Sequence, residues 1–187
     1  IFEHKNYVGG RYSVLSEVGM LPAELMNLSE NKFKQFNNLI KNKTFINNLV
    51  NNVTATLNFI NNGKFASIIL NYDEQSENLL KWYQQLVAES LGKKSKGILP
   101  IISSMPKDNH SLMQLYLDGP KKSFYTFFNT LDNREVKIQN NNILLSHKYL
   151  KNQSIQKIKQ SQMLATEKVF ISKKIPFRSF RVLKRDE

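Results

Sequence analysis

The chain has 187 residues, 41% of them hydrophobic, no cysteine and a formal net charge of +12. That length suits one compact domain with a sizeable core, and the lack of cysteine excludes a disulfide framework, a thiolate metal site and a cysteine nucleophile. The charge raises the question of nucleic acid or an anionic membrane, but Lys93-Lys94, Lys121-Lys122 and Lys173-Lys174 are isolated pairs, no run forms a basic arm, and the abundance of Asn, Lys and Ile reads as compositional bias rather than a binding footprint.

Taken in chain order, the pattern alternates helices and strands, which argues for an α/β domain with a mainly parallel sheet. Ile1 to Val8 reads as the end of a strand entering the loop Gly9-Gly10-Arg11. Ser16 to Met26 reads as a helix in which Pro22 must occupy the first turn or bend the axis. Asn31 to Ile40 and Thr44 to Ile60 carry apolar residues at helical spacing, and Asn61-Asn62-Gly63 supplies a stop for the second. Phe65 to Asn71 is a continuous apolar run, as a buried parallel strand requires. Asp73 to Leu91 reads as a long helix with Leu79, Leu80, Tyr83, Leu86 and Val87 on its core face.

Gly92 to Gly97 breaks that helix, and Ile98 to Ile102 is the next strand. His110 to Leu117 reads as a short helix closed by Asp118-Gly119-Pro120. Phe124 to Phe128 is a further strand, Val136 to Leu144 a weaker one, Asn140 to Asn142 a loop, Ser154 to Ile171 a helix and Phe177 to Leu183 a final strand. No linker or internal repeat stands out. The longest apolar runs, such as Phe65 to Leu70, are too short to span a bilayer, so no membrane is expected. Glu3, His4 and Asn6 interrupt any apolar start, so the first residues do not read as a secretory signal, and a cytoplasmic location is expected.

Three places carry candidate chemistry. In Val8-Gly9-Gly10-Arg11-Tyr12-Ser13, two glycines let backbone approach a ligand beside a fixed positive charge, although a Gly-Gly turn before a helix is more often structural. In the segment Trp82 to Lys93, Gln85 and Glu89 are four apart and share a helix face. A carboxylate near a helix C-terminus faces the negative end of the dipole, which raises its pKa and suits a general base. A solvated glutamate on a polar face would look the same. In Asp108-Asn109-His110-Ser111-Leu112-Met113-Gln114, His110 falls near an expected helix start, where the positive dipole end favours neutral imidazole. A lone histidine there is commonly a cap or a surface residue. His4 and His147 have no comparable setting, and three scattered histidines do not make a metal site.

Read in order, the three segments resemble the phosphoglucose isomerase family. Asn6 to Gly19 is similar to that family's Gly-Gly-Arg-aromatic-Ser segment, with Glu17 standing where a small residue or proline is usual. Gln85 to Lys93 resembles the segment Gln-x-x-x-Glu-Ser-x-Gly-Lys, and His110 to Gln114 resembles His-Ser-x-x-Gln of the bacterial members. The resemblance covers nearly the whole chain and weakens after about Lys121. It implies a three-layer α/β/α sandwich with a mainly parallel sheet, in a sugar-isomerase (SIS-type, flavodoxin-like) arrangement. Residues 1–187 would form a single such domain, the second of two in a larger isomerase.

The family's phosphate loop and its closing Phe-Asp-Gln-x-Gly-Val-Glu motif with a downstream lysine have no counterpart in the sequence, and the surroundings of Lys184 do not match that lysine. The implied activity is the interconversion of glucose 6-phosphate and fructose 6-phosphate through a cis-enediol, in glycolysis and gluconeogenesis. By the same resemblance Glu89 is the base, Arg11 offsets the enediolate charge, His110 assists ring opening, and Gln85 with the Gly10 backbone holds substrate. The implied assembly is a homodimer with His110 reaching the opposite subunit's site, and no metal or organic cofactor is expected. A sugar-phosphate-binding module without catalysis is the alternative.

Overall fold

A computed structural model describes residues 3–131, 136–139 and 143–184. The chain divides into two compact units, one holding the N-terminal stretch to Phe65 with Lys81–Ile98, the other holding Ala66–Leu80 and Leu99–Arg185.

The first unit is helical. Of the strand end expected over Ile1 to Val8, residues 1–2 lie outside the described residues, and residues 3–8 form turn and irregular backbone instead. A 3-10 turn, Gly10–Leu15, leads into α1 (Glu17–Leu25). Pro22 stands sixth of the nine residues of α1, beyond the first turn that was one of its two expected settings, and the helix ends three residues later. This position is tolerated because the missing N–H affects only one bond while the Pro22 carbonyl still accepts from Met26 N at 3.1 Å. Where the sequence suggests one helix over Asn31 to Ile40, there are two: α2 (Glu30–Lys34) and α3 (Phe36–Lys41). The joint is a tightened turn, with Gln35 N bonded to Lys32 O at 3.1 Å and Asn38 N to Gln35 O at 2.8 Å. The weak helix formers Asn37 and Asn38 do not resist it.

α4 (Lys43–Asn61) is long and well terminated. Asn42 caps its start by accepting from Phe45 N at 3.1 Å. At its end, Gly63 adopts a φ of 77°. Gly63 N donates to Ile60 O at 2.9 Å and Lys64 N to Phe59 O at 3.0 Å, the paired bonds of a Schellman stop. The sequence expectation for Gly63 is met in full. α4 nevertheless buries none of its residues.

The second unit is built on a four-stranded, all-parallel sheet flanked by helices, the expected α/β/α class. β1 (Ala66–Asn71), β2 (Leu99–Ser104), β3 (Ser123–Thr130) and β4 (Phe177–Val182) lie in the order β2-β1-β3-β4. Every residue of β1 is buried, which is why it reads as an uninterrupted apolar run. Pro100 lies in β2, at the edge of the sheet, where proline is tolerated in a strand. Pairing sets Ile68 beside Tyr125 and Leu70 beside Phe127 on one face. α8 (Ile155–Ser172), started by Ser154 accepting from Lys157 N at 3.4 Å, contributes buried Met163 and Phe170. Leu70, Tyr72, Phe127 and Phe170 are fully buried. The Phe170 ring meets Tyr125 at 5.0 Å and Phe127 at 5.3 Å, both edge to face, a favoured aromatic geometry. The buried Glu167 carboxylate is satisfied from β4 by Ser179 Oγ at 2.6 Å and Arg181 Nη2 at 2.8 Å.

Three further boundaries differ from the sequence reading. The helix expected from Asp73 begins at Glu77, as α5 (Glu77–Leu91), after a 3-10 turn over Glu74–Ser76. Here Asn71 Oδ1 accepts from Asp73 N at 2.9 Å and Asp73 Oδ2 from Ser76 Oγ at 2.5 Å, so polar side chains compete with the helix. Leu79, assigned to the core face, is 52% exposed; Leu80 is the buried leucine. The helix expected over His110 to Leu117 is split into α6 (Asp108–Ser111) and α7 (Met113–Asp118) at Leu112. Of the weaker strand over Val136 to Leu144, residues 140–142 lie outside the described residues, as does the loop assigned to them, and the described remainder shows one antiparallel bridge, Lys137 to Ser154.

Candidate functional site

The chemistry of the first unit converges on Arg11. The segment Gly10–Leu15 is wound tightly by its own hydroxyls: Ser13 Oγ donates to Gly10 O at 2.7 Å and Ser16 Oγ to Ser13 O at 2.8 Å. The last turns of α5 meet this segment. Trp82, Gln85 and Glu89 follow one another at helical spacings of three and four, so they share a face. Trp82 Nε1 donates to the Arg11 carbonyl at 2.8 Å, fixing the backbone. Arg11 Nε donates to Ser90 Oγ at 3.0 Å, and Arg11 Nη1 reaches Glu89 Oε2 at 3.2 Å. The other Glu89 oxygen accepts from Gln85 Nε2 at 2.9 Å.

The pair is unevenly exposed. The Arg11 side chain is 20% accessible and that of Glu89 50%, so the guanidinium is anchored while the carboxylate faces solvent. The guanidinium lies over the Tyr12 ring, 4.7 Å from its centre. The Tyr12 hydroxyl is 2.7 Å from Ser90 Oγ. That bond, and Arg11 after it, pulls the phenol below its ordinary pKa.

The two glycines do not explain themselves by the fold. Neither has a positive φ among the described residues. A Cβ at Gly10 would meet nothing within 4 Å, and one at Gly9 only Tyr12 Cδ2 at 3.9 Å. By contrast, a Cβ on Gly19 would fall 2.0 Å from the Val14 carbonyl. The space over Gly10 is open, as a backbone site for a ligand requires.

His110 belongs to the second unit. It is exposed and third of the four residues of α6, so it lies near a helix start as expected, although a helix of a single turn has little net dipole. The short helix is organised by its first residue, Asp108, which accepts from Ser104 N at 2.8 Å and Ser103 Oγ at 2.9 Å at the end of β2. The structure thus brings Arg11, Gln85 and Glu89 together in one unit, with His110 in the other. Among the described residues no group of three His, Cys, Asp or Glu side chains could hold a metal ion, and no helix is long and apolar enough to cross a membrane.

The family model of phosphoglucose isomerase matches residues 1–184. This chain belongs to the phosphoglucose isomerase family. It is 33% identical over 132 residues to glucose-6-phosphate isomerase of Methanocaldococcus jannaschii, covering 68% of this chain and 33% of that protein. It is 31% identical over 183 residues to the probable glucose-6-phosphate isomerase of Methanococcus maripaludis, covering 94% of this chain and 40% of that one. The chain therefore spans about a third to two fifths of the length of these curated relatives. Among solved structures, a hypothetical protein from Thermus thermophilus superposes with a TM-score of 0.81 at 22% identity, over 96% of this chain and 45% of the other. That likeness establishes a shared fold.

Within this member of the family, the sequence motifs contain three residues that build the cluster but assign them no role: Tyr12, Trp82 and Ser90. Trp82 was legible in principle, because it stands seven positions before Glu89 on the same helix face. Ser90 stood in the Gln-x-x-x-Glu-Ser-x-Gly-Lys segment, but its task is not legible until Arg11 arrives from 79 positions away. Glu17, the departure from the family pattern, is hydrogen-bonded to His4, which the sequence left without a setting.

Proposed function

We propose that the protein carrying this chain is an aldose-ketose isomerase that interconverts glucose 6-phosphate and fructose 6-phosphate. Residues 1–187 form one sugar-isomerase domain of a longer, two-domain enzyme. The observation that carries this reading is the Arg11–Glu89 pair, 3.2 Å apart, with Gln85 on the second carboxylate oxygen, in a phosphoglucose isomerase chain. A carboxylate that can accept and return a proton stands beside a cation that never loses its charge.

In the forward direction Glu89 takes the proton from C2 of the open-chain aldose. The C–H electron pair forms the C1–C2 double bond, and negative charge develops on O1. Arg11 offsets that charge, an electrostatic contribution typically worth about 3 kcal/mol of barrier. The O2 hydroxyl proton passes to O1, and Glu89 returns its proton to C1, giving the ketose. Gln85 orients Glu89 and, with the Gly10 backbone, holds the sugar. His110 assists ring opening by exchanging a proton with the sugar oxygens. It acts in the site of the opposite subunit of a cytoplasmic homodimer. The exchange of protons between neighbouring carbons requires no metal or organic cofactor.

The test is the Glu89→Gln substitution in the full natural polypeptide. Turnover of glucose 6-phosphate falls about 10²- to 10⁴-fold if Glu89 is the base. Unchanged turnover removes Glu89 from that role. A wild-type protein that binds the sugar phosphate, seen as thermal stabilisation, yet never isomerises it is a binding module instead.

A further inference from the structure

We infer that Ser90 is a positioning residue that holds the Arg11 guanidinium in place independently of the charge on Glu89; this rests on the isomerase reading above. A base that carries a proton through the reaction alternates between anion and neutral acid. If Arg11 were held only by Glu89, each protonation would weaken the contact that places the stabilising charge. The structure supplies a second hold. Arg11 Nε donates to Ser90 Oγ at 3.0 Å in a partly buried contact, whereas the Glu89 contact is longer, at 3.2 Å, and exposed. The Ser90 hydroxyl is itself fixed by the Tyr12 hydroxyl at 2.7 Å, and the Tyr12 ring lies under the guanidinium. Trp82 Nε1 secures the Arg11 carbonyl at 2.8 Å. The guanidinium is therefore gripped on Nε by neutral groups whose bonding does not change when Glu89 gains a proton. Nη1 remains directed to the Glu89 carboxylate. A hydroxyl suits this task, because it accepts from Nε without adding a charge that would compete with substrate oxygens for the guanidinium.

The experiment compares Ser90→Ala, Ser90→Thr and Tyr12→Phe in the full natural polypeptide, measuring kcat, KM and thermal midpoint. Ser90→Ala lowers kcat about tenfold with KM within about twofold, because misplacing a charge that acts in the transition state costs turnover rather than ground-state binding. Ser90→Thr keeps the oxygen and restores kcat. Tyr12→Phe removes one hydrogen bond and leaves the stacking, so it produces a smaller fall. The inference is overturned if Ser90→Ala leaves kcat unchanged, or if its loss of kcat comes with a lowered thermal midpoint and is not recovered by threonine. An inactive wild type, or an indifferent Glu89→Gln, defeats the isomerase reading itself. An active wild type with an indifferent Ser90 defeats only this inference.

Discussion

The two units of this chain differ in whether they close a core. The second unit closes a core over its sheet: Leu70, Tyr72, Phe127 and Phe170 have no exposed area, and its aromatic rings interlock at about 5 to 6 Å. Among the described residues of the first unit, only Ser13, Ala23 and Ile98 are buried. Its longest helix, α4, keeps Phe45, Leu49, Val53 and Leu57 between 38% and 53% exposed. Yet this loosely packed unit holds the Arg11–Glu89 pair. Local precision there comes from directed bonds to one arginine, not from a closed core. Stability and chemistry are thus carried by different physical terms in different parts of the chain.

The largest expected effect tests the sealed side of that contrast. Phe127→Ala removes a fully buried ring at the centre of the aromatic cluster and costs about 3 to 5 kcal/mol, a large share of a typical domain's stability. Urea unfolding followed by circular dichroism measures it. Phe127→Leu, which refills part of the space, loses less. A cost below about 1 kcal/mol for the alanine variant would mean that the cluster repacks, and the contrast between the units would collapse.

This contrast also explains what the sequence could reveal. β1 and β3 were legible because strands buried on both faces need continuous apolar runs, and Gly63 was legible because a left-handed stop has a local signature. The breaks at Gln35 and Leu112 were not, since apolar periodicity continues through both while the backbone changes its bonding. The start of α5 was misplaced because the side chains of Asn71, Asp73 and Ser76 claim each other's donors, a cooperation that helical periodicity does not register. In the site, Arg11 and Glu89 stood out through the order of their motifs. Ser90 and Tyr12 lay inside the same motifs, but their contact joins segments 78 positions apart, which no local pattern encodes.

A smaller effect tests the open side. Leu49 is 48% and Val53 49% exposed, so each alanine substitution forfeits only part of a side chain's burial and costs less than about 1 kcal/mol. Denaturation midpoints of the two variants check this. A loss approaching that of Phe127→Ala would mean that the α4 face is covered in solution, and the first unit would have a core of its own after all.

The smallest effect concerns the hydrogen bond of His4 with Glu17, ahead of the Arg11 segment and at the start of α1. The Glu17 carboxyl is held below the usual carboxylate range, first by its own backbone N–H at the start of α1 and next by His4. A carboxyl whose folded pKa is depressed contributes stability that is fully present above its unfolded pKa. That contribution is lost as the pH falls through the folded value, because the unfolded chain then binds the proton more readily. Glu17→Gln therefore lowers the thermal midpoint slightly at neutral pH and makes no difference once the pH is below the folded value, flattening the acid limb of the stability profile. His4→Ala removes the second contribution and leaves the first, so its profile lies between wild type and Glu17→Gln. Coincident profiles for all three proteins would show that the pair does not hold this segment, leaving the hydroxyl bonds of Ser13 and Ser16 and the Trp82 contact to order Arg11 without it.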